Sequence, residues 1–384
     1  MSRRRNPVLR IAGALLGLIA CAAFAAGCSD LGAGGLDGPV ETADASGGKA
    51  SGELLISNWP AYIDKDTVPE FEKASGVSVE YVEDVNDNNE IFSKLQPTLA
   101  NRDASGRSII VVTDWMAQKM YDLGYLQNFD KNAIPEVNKN MLPSLKHPSF
   151  DPERQFSAPW QAGMTGLVVN TAEAPDVTSI NDLFEDPDLA GKVTVLSEMR
   201  DSIPLIMKAD GVDPATASAD DWLDAIDRLG EAIDSGQVLG ITGNSYLNDM
   251  ARGDVVAAIG WSGDAIQLQA DNPDIKFVMP EQGCILWSDN MVIPVGAPNP
   301  DAAYAFMNYV YTPKNQAQIA AYNSYTTPVL GVQQIFEKTD PDLAKSQLIF
   351  PTAEYQKNCS TQPNPPRLQT AEIEKAFEAL RTGG

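Results

Sequence analysis

Short apolar runs alternate with amphipathic helical stretches, and this pattern predicts an α/β fold of two lobes, each a mainly parallel sheet with flanking helices. Three observations carry it. The runs Leu54-Leu55-Ile56, Val77 to Val82 and Ser108 to Val112 are strand-like and are separated by helix-like segments. The same alternation begins again at Leu167. About 330 residues follow the apparent leader and tether, enough for two cores.

In the first unit, Leu54-Leu55-Ile56 suits a buried strand, and a helix with Val68 and Phe71 stops at Gly76. Val77 to Val82 alternates apolar and polar residues. Asn89 to Ala100 puts Ile91, Leu95 and Leu99 on one helix face. Ser108 to Val112 is β-branched, and Asp114 is placed to cap a helix with Met116 and Met120 that ends at Gly124. In the second unit, Leu167 to Val169, Lys192 to Leu196 and Asp254 to Trp261 read as strands. Asp220 to Asp234 reads as a helix with Trp222, Ala225, Ile226, Leu229 and Ile233 inward. Ala158 to Gly163 and Asp289 to Pro294 are expected crossovers between lobes. Helices follow over Asp301 to Tyr311 and around Ile373, Ala376, Phe377 and Leu380.

The start of the chain reads as an export signal. Arg3, Arg4, Arg5 and Arg10 precede the apolar run Ile11 to Ala26, which is short for a membrane span and ends in Ala25-Ala26-Gly27-Cys28. That ending is similar to a lipobox, with Cys28 as the lipidated residue. The expected organisation is a signal peptide over 1–27 and a flexible tether over 28–52. The first lobe covers 53–160, the second 161–288, and a return to the first 289–330. A C-terminal segment over 331–384 packs across both. The tether is expected because Ser29 to Gly52 is rich in Gly, Ala, Asp and Ser without an apolar period.

The chain holds 28 basic and 52 acidic residues, and without the four leader arginines the net charge is −28. Such a charge repels nucleic acid and favours cationic partners, although acidity also serves solubility. Of the cysteines, Cys284 and Cys359 remain after Cys21 and Cys28 are assigned to the leader and the anchor. In an exported chain they form a disulfide or stay as two buried thiols.

Chemistry of catalysis is hard to find. The single histidine, His147, sits in a polar turn, so a histidine-based triad lacks its base. Gly47-Gly48-Lys49-Ala50 lacks the Ser or Thr of a phosphate-binding loop. Asp84 to Asn88 opens like a calcium loop, but Asn89 and Leu95 stand where Gly and Glu belong, so a helix-capping loop fits better. Paired carboxylates keep an exported hydrolase open as a competing function.

Leu54 to Ile63, reading Leu-Leu-Ile-Ser-Asn-Trp-Pro-Ala-Tyr-Ile, resembles the opening strand and turn of the spermidine/putrescine-binding proteins of ABC transporters. The resemblance continues through Glu90 to Leu95, Val111 to Met120, Ser157 to Asn170, Trp261 to Asp264, Ile285 to Pro294 and Tyr325 to Pro328. It implies a two-lobed periplasmic-binding fold (type II, cluster D), no catalysis, no cofactor, a permease as partner and a monomer. Residue by residue it implies that Trp59, Tyr62, Thr113 and Trp115, with Asp114 between the last two, contact the ligand. It likewise assigns Glu198 and Asp201 to amino groups, Trp261 to an aromatic floor with Asp264 beyond it, and Trp287, Asp289, Tyr325 and Gln362 to the remaining walls. The chain departs from the family in lacking a tryptophan between Val238 and Tyr246, where Tyr246 is the substitute, and in carrying Cys284 and Cys359. A small organic cation, a polyamine above all, suits such residues: carboxylates bind ammonium groups and aromatic faces cover methylenes. Singly, each residue also has a plain structural role. Asp114, Asp201 and Asp264 are placed as helix caps, and Glu198 with Arg200 as a surface pair. A receptor for another solute and a ligand-free surface lipoprotein are the remaining competing functions.

Overall fold

The computed structural model describes Gly35, Leu36 and residues 38–383. The signal peptide and Cys28 lie outside the described residues.

The elements follow in chain order as β1 (Thr42–Ala43), β2 (Gly52–Asn58), α1 (Thr67–Ser75), β3 (Val77–Glu83), α2 (Asn88–Leu99), β4 (Arg107–Thr113), α3 (Asp114–Asp122), β5 (Asn128–Phe129), α4 (Pro135–Asn140) and β6 (Ala158–Asn170). The second unit adds α5 (Ile180–Glu185), β7 (Val193–Leu196), α6 (Met199–Ala209), α7 (Ala219–Asp234), β8 (Val238–Thr242), α8 (Tyr246–Arg252), β9 (Ala257–Trp261), α9 (Ser262–Gln269) and β10 (Ile275–Val278). The chain closes with β11 (Ile285–Val292), α10 (Pro300–Val310), α11 (Pro313–Asn323), α12 (Val332–Thr339), β12 (Ser360–Thr361) and α13 (Thr370–Thr382).

Sheet order is β3-β2-β4-β11-β6-β9-β7-β8. The flanks are parallel, β2 with β3 and β4, and β7 with β8 and β9. The centre is antiparallel: β11 pairs β4 and β6, and β6 pairs β9 and β10. β6 and β11 therefore pass from one half to the other. At about 3.3 Å per residue, the 13 residues of β6 are long enough to serve both sheets. The β6–β11 register shifts between Asp289 and Asn290, a bulge of the kind that bends a strand and re-aims side chains.

Local signals set the helix ends. Gly76 closes α1 at φ 80°, and the Asp87 side chain accepts from the N–H of Glu90 to start α2, so the Asp84 to Asn88 segment is a capping loop. Ser218 with Asp221 forms a capping box on α7, whose Trp222, Ala225, Ile226 and Leu229 are buried while Ile233 is only half-buried. The disulfide Cys284–Cys359, with Cα atoms 4.3 Å apart, fastens β12 beside the start of β11, where the two strands pair in parallel.

The tether expectation needs correction. β1 pairs with β5, Ala43 is buried, and its carbonyl accepts from Tyr304 Oη. The Ser46 N–H and hydroxyl both donate to the Asp301 carboxylate. This stretch is held through backbone pairing, the buried Ala43 and the Ser46–Asp301 contact, none of which an apolar period reveals.

Candidate functional site

The ends of the strands converge between the two halves. Trp59 follows β2, Thr113 ends β4 and Trp261 ends β9, with Asp264 in the first turn of α9. β11 supplies Trp287 and Asp289. Glu198 and Asp201 stand at the start of α6. Together with Tyr62, Tyr325 and Gln362 they enclose a cavity of about 30 Å3, room for one or two waters.

Four carboxylates face this space, and each is satisfied by neutral donors. Asp201 accepts from Trp261 Nε1 at 2.9 Å and Gln362 Nε2 at 2.8 Å. Asp264 accepts from the hydroxyls of Tyr246 and Tyr325, both at 2.7 Å. Asp289 accepts from Thr113 Oγ1 at 2.8 Å and Tyr62 Oη at 2.9 Å. Glu198 accepts from the N–H of Asn88 at 2.6 Å and from Asn88 Nδ2 at 3.0 Å, which joins the start of α2 to the start of α6. Burial pushes Asp201 and Asp264 up to about 6. It pushes Asp289 to about 7, with Asp114 and Asp201 adding repulsion. Glu198 is raised by burial and then by the charge of Asp87. Among the described residues no lysine or arginine forms an ion pair with these four groups, although Arg200 lies near enough to Glu198 for their charges to interact. Buried carboxylates without a cation are costly when ionised, so the cluster favours either protons or an incoming positive charge.

Aromatic rings complete the walls. Trp59 meets Trp261 edge-on at 5.9 Å, Tyr62 meets Tyr325 at 5.1 Å, and Trp287 meets Tyr325 at 5.4 Å. Glycines make room for two of them. A Cβ on Gly163 would lie 2.3 Å from the Trp287 ring, and one on Gly263 would lie 2.6 Å from the Tyr325 ring. The result is an acceptor-rich cage with π faces, suited to a cation carrying N–H donors and an apolar body.

Two residues of the expected set lie elsewhere. Asp114 and Trp115 line a larger cavity that adjoins the small one and shares Trp287 and Gln362 with it. The Arg200 guanidinium covers the Trp115 ring at 3.7 Å and pairs with Glu374 at 2.9 Å. Arg200 is thus buried rather than part of a surface pair with Glu198.

Residues 66–351 match the family described as bacterial extracellular solute-binding protein. The chain belongs to this family. The putrescine-binding periplasmic protein PotF of Escherichia coli (strain K12) is 30% identical over 314 residues, covering 73% of this chain and 80% of PotF. The spermidine/putrescine-binding periplasmic protein of the same organism is 25% identical, covering 86% of this chain and 92% of its own length. Among solved structures, an ABC-transporter chain of Listeria monocytogenes superposes with a TM-score of 0.77 at 26% identity, covering 86% of this chain and 99% of that one. The spermidine/putrescine ABC transporter substrate-binding protein PotD of Streptococcus pneumoniae gives 0.68 at 25% identity, with 86% and 98% covered.

In this solute-binding protein, sequence reasoning missed Pro60 and Asn244, which also line the small cavity. Asn244 lies in the polar Thr242 to Ser245 stretch, and no pattern singles it out. Tyr246 is not a wall of the cavity. It lies behind Trp261, accepting from the Trp261 N–H at 3.1 Å while donating to Asp264. Asn88, expected only as part of a capping loop, also donates to Thr113 Oγ1 at 2.8 Å. It thereby links Glu198 to Thr113 and through it to Asp289.

Proposed function

We propose that this protein is the lipid-anchored receptor of an ABC importer and captures a polyamine, of the spermidine or putrescine class, on the extracytoplasmic face of the membrane. Asp201, Asp264, Asp289 and Glu198 are the counter-ions, and Trp59, Trp261, Trp287, Tyr62 and Tyr325 cover the methylenes. Thr113 and Gln362 orient the carboxylates. Cys28 carries the anchor, the permease receives the closed monomer, and β6 and β11 act as the hinge.

The observation that carries this reading is four carboxylates buried together, of which Asp201, Asp264 and Asp289 have only neutral donors. An ammonium group supplies the charge they lack and up to three N–H donors. The relatives named for putrescine and spermidine support the same ligand class. A titration followed by intrinsic tryptophan fluorescence tests it. Putrescine or spermidine should give a saturable change that arginine, glutamate and a neutral sugar do not. A saturable response to one of those three and none to polyamines would replace the ligand.

A further inference from the structure

Gln362, a donor to Asp201, sits in a part of the chain with little regular structure. Among the described residues from 346 to 369, β12 is the one regular element, and it is two residues long. Two backbone bonds seat it on β11: the Ser360 N–H donates to the Cys284 carbonyl at 2.9 Å, and the Gln362 N–H to the Leu286 carbonyl at 2.8 Å. The other side of the segment reaches α6. Lys208 Nζ donates to the Asn358 carbonyl at 3.0 Å and to Ser360 Oγ at 3.1 Å, and Arg200 Nε donates to Asn364 Oδ1 at 3.1 Å. Residues 358–364 are therefore a strap between the crossover strand β11 and α6, the helix that carries Asp201.

The Cys284–Cys359 bridge lies at the start of this strap, three residues before Gln362. Cys284 is buried. Gly283, beside it at φ 86°, packs so closely on the Asn358 carbonyl that a Cβ there would overlap it. The strap itself is near the surface: Thr361 is exposed and Gln362 half-buried. A few hydrogen bonds near water contribute little more than the ordering of their residues costs. A covalent tie to a buried residue gives the strap a fixed origin and leaves only a short span of chain to order before Gln362. What that order secures is visible at Asp201. Gln362 Nε2 donates to its Oδ1 and Trp261 Nε1 to its Oδ2, so each carboxylate oxygen has its own donor. Without Gln362 the Oδ1 atom loses the bond that orients it, and the ionised form loses support against burial.

We propose that the Cys284–Cys359 bridge is a positioning element of the binding site: it holds the strap on β11 so that Gln362 keeps the Asp201 carboxylate aimed into the small cavity. Its part in ligand binding passes through Gln362 and is distinct from its part in stability. Without the bridge, β12 is free to part from β11, Gln362 withdraws from Asp201, and ligand affinity falls while the rest of the site stays in place. The inference rests on the polyamine reading of the small cavity.

The test is a double-mutant cycle, read by isothermal titration of the purified protein with putrescine and spermidine at neutral pH and well below the melting temperature. Gln362→Ala in the bridged protein, and serine at both Cys284 and Cys359, should each weaken binding about fivefold or more, in line with a lost hydrogen bond to a charged group. The two changes together should match the larger single effect within about twofold, because both remove one hydrogen bond. Asp264→Asn is the control, since its donors Tyr246 and Tyr325 are not shared with Asp201. Combined with the serine pair, its effect should multiply. Should the serine pair fail to fold, Cys359→Ser alone opens the bridge, keeps the Cys284 side chain in the core, and carries the same expectations. Affinity unchanged by loss of the bridge, or a loss that multiplies with Gln362→Ala, would overturn the inference and leave the receptor reading standing. No binding of either polyamine by the bridged wild type would overturn the receptor reading itself.

Discussion

The Glu198 carboxylate accepts the backbone N–H of Asn88 at 2.6 Å, joining the first turns of two helices on opposite sides of the cleft. A carboxylate at a helix N-terminus is favourably placed by the exposed N–H groups and the helix dipole. Glu198 is therefore both a wall of the small cavity and, with Ser197 to Asp87 and Asn244 to Asn86, one of the contacts that join the halves. Glu198→Ala should weaken polyamine binding about tenfold or more and shift small-angle scattering toward a more open form. An unchanged dissociation constant and an unchanged scattering profile would contradict this.

Trp261 and Asp201 act as a pair, because the indole N–H donates to the carboxylate at 2.9 Å. Trp261→Phe keeps a π face and removes that donor, whereas Trp261→Ala removes both. The expected order of affinity is wild type, then Phe, then Ala, with the Ala variant down about tenfold or more. Equal affinity in all three would place Trp261 outside the binding surface.

The buried carboxylates set a pH dependence with a definite sign. Asp201 and Asp264 sit at about 6 and Asp289 at about 7, above their usual value near 3.8. The folded protein therefore holds protons that the unfolded chain has released. Without ligand, its stability should fall as pH rises from about 4 to about 7 and then level off. A bound ammonium favours the ionised carboxylates, so binding should release protons near pH 6 and affinity should rise with pH through this window. Titrations in buffers of differing ionisation enthalpy measure the proton count. Proton uptake, or affinity that falls with rising pH, would contradict the assignment.

The Cys284–Cys359 bridge closes a loop with a sequence separation of 75. Serine at both positions should lower stability by about 4 kcal/mol and the melting temperature by about 5 °C. Identical melting curves for the variant and the oxidised wild type would show that the bridge does not contribute.

Much of the fold and the site is legible in the chain, and what is not has identifiable causes. The strands ending at Asn58, Thr113 and Trp261 announce themselves by short apolar runs, β-branched in the case of Thr113, and family order places Trp59, Asp201, Asp264 and Tyr325 beside one another. The helix-cap readings of Asp114, Asp201 and Asp264 fail, since Thr113, Glu198 and Trp261 occupy the cap positions. Each of these aspartates lies inside its helix, where its side chain is free to face a cavity. The stacking of Arg200 on Trp115 depends on two helices meeting across the cleft, which no local pattern encodes. β8, β10, α11 and α12 are not foreseen, since each is short and offers few apolar residues to set a period. The docking of residues 42–46 rests on backbone pairing and on Ser46 with Asp301, neither of which composition reports.

The most direct measurement is a thermal-shift screen of the purified protein against putrescine, cadaverine, spermidine, spermine, arginine, glutamate and a neutral sugar, at low and moderate salt. A receptor with buried counter-ions should show a saturable stabilisation by one or two polyamines that survives moderate salt, because buried pairs are poorly screened. Shifts with every cation that vanish on adding salt would mean that only the acidic surface attracts them, and would contradict the polyamine site.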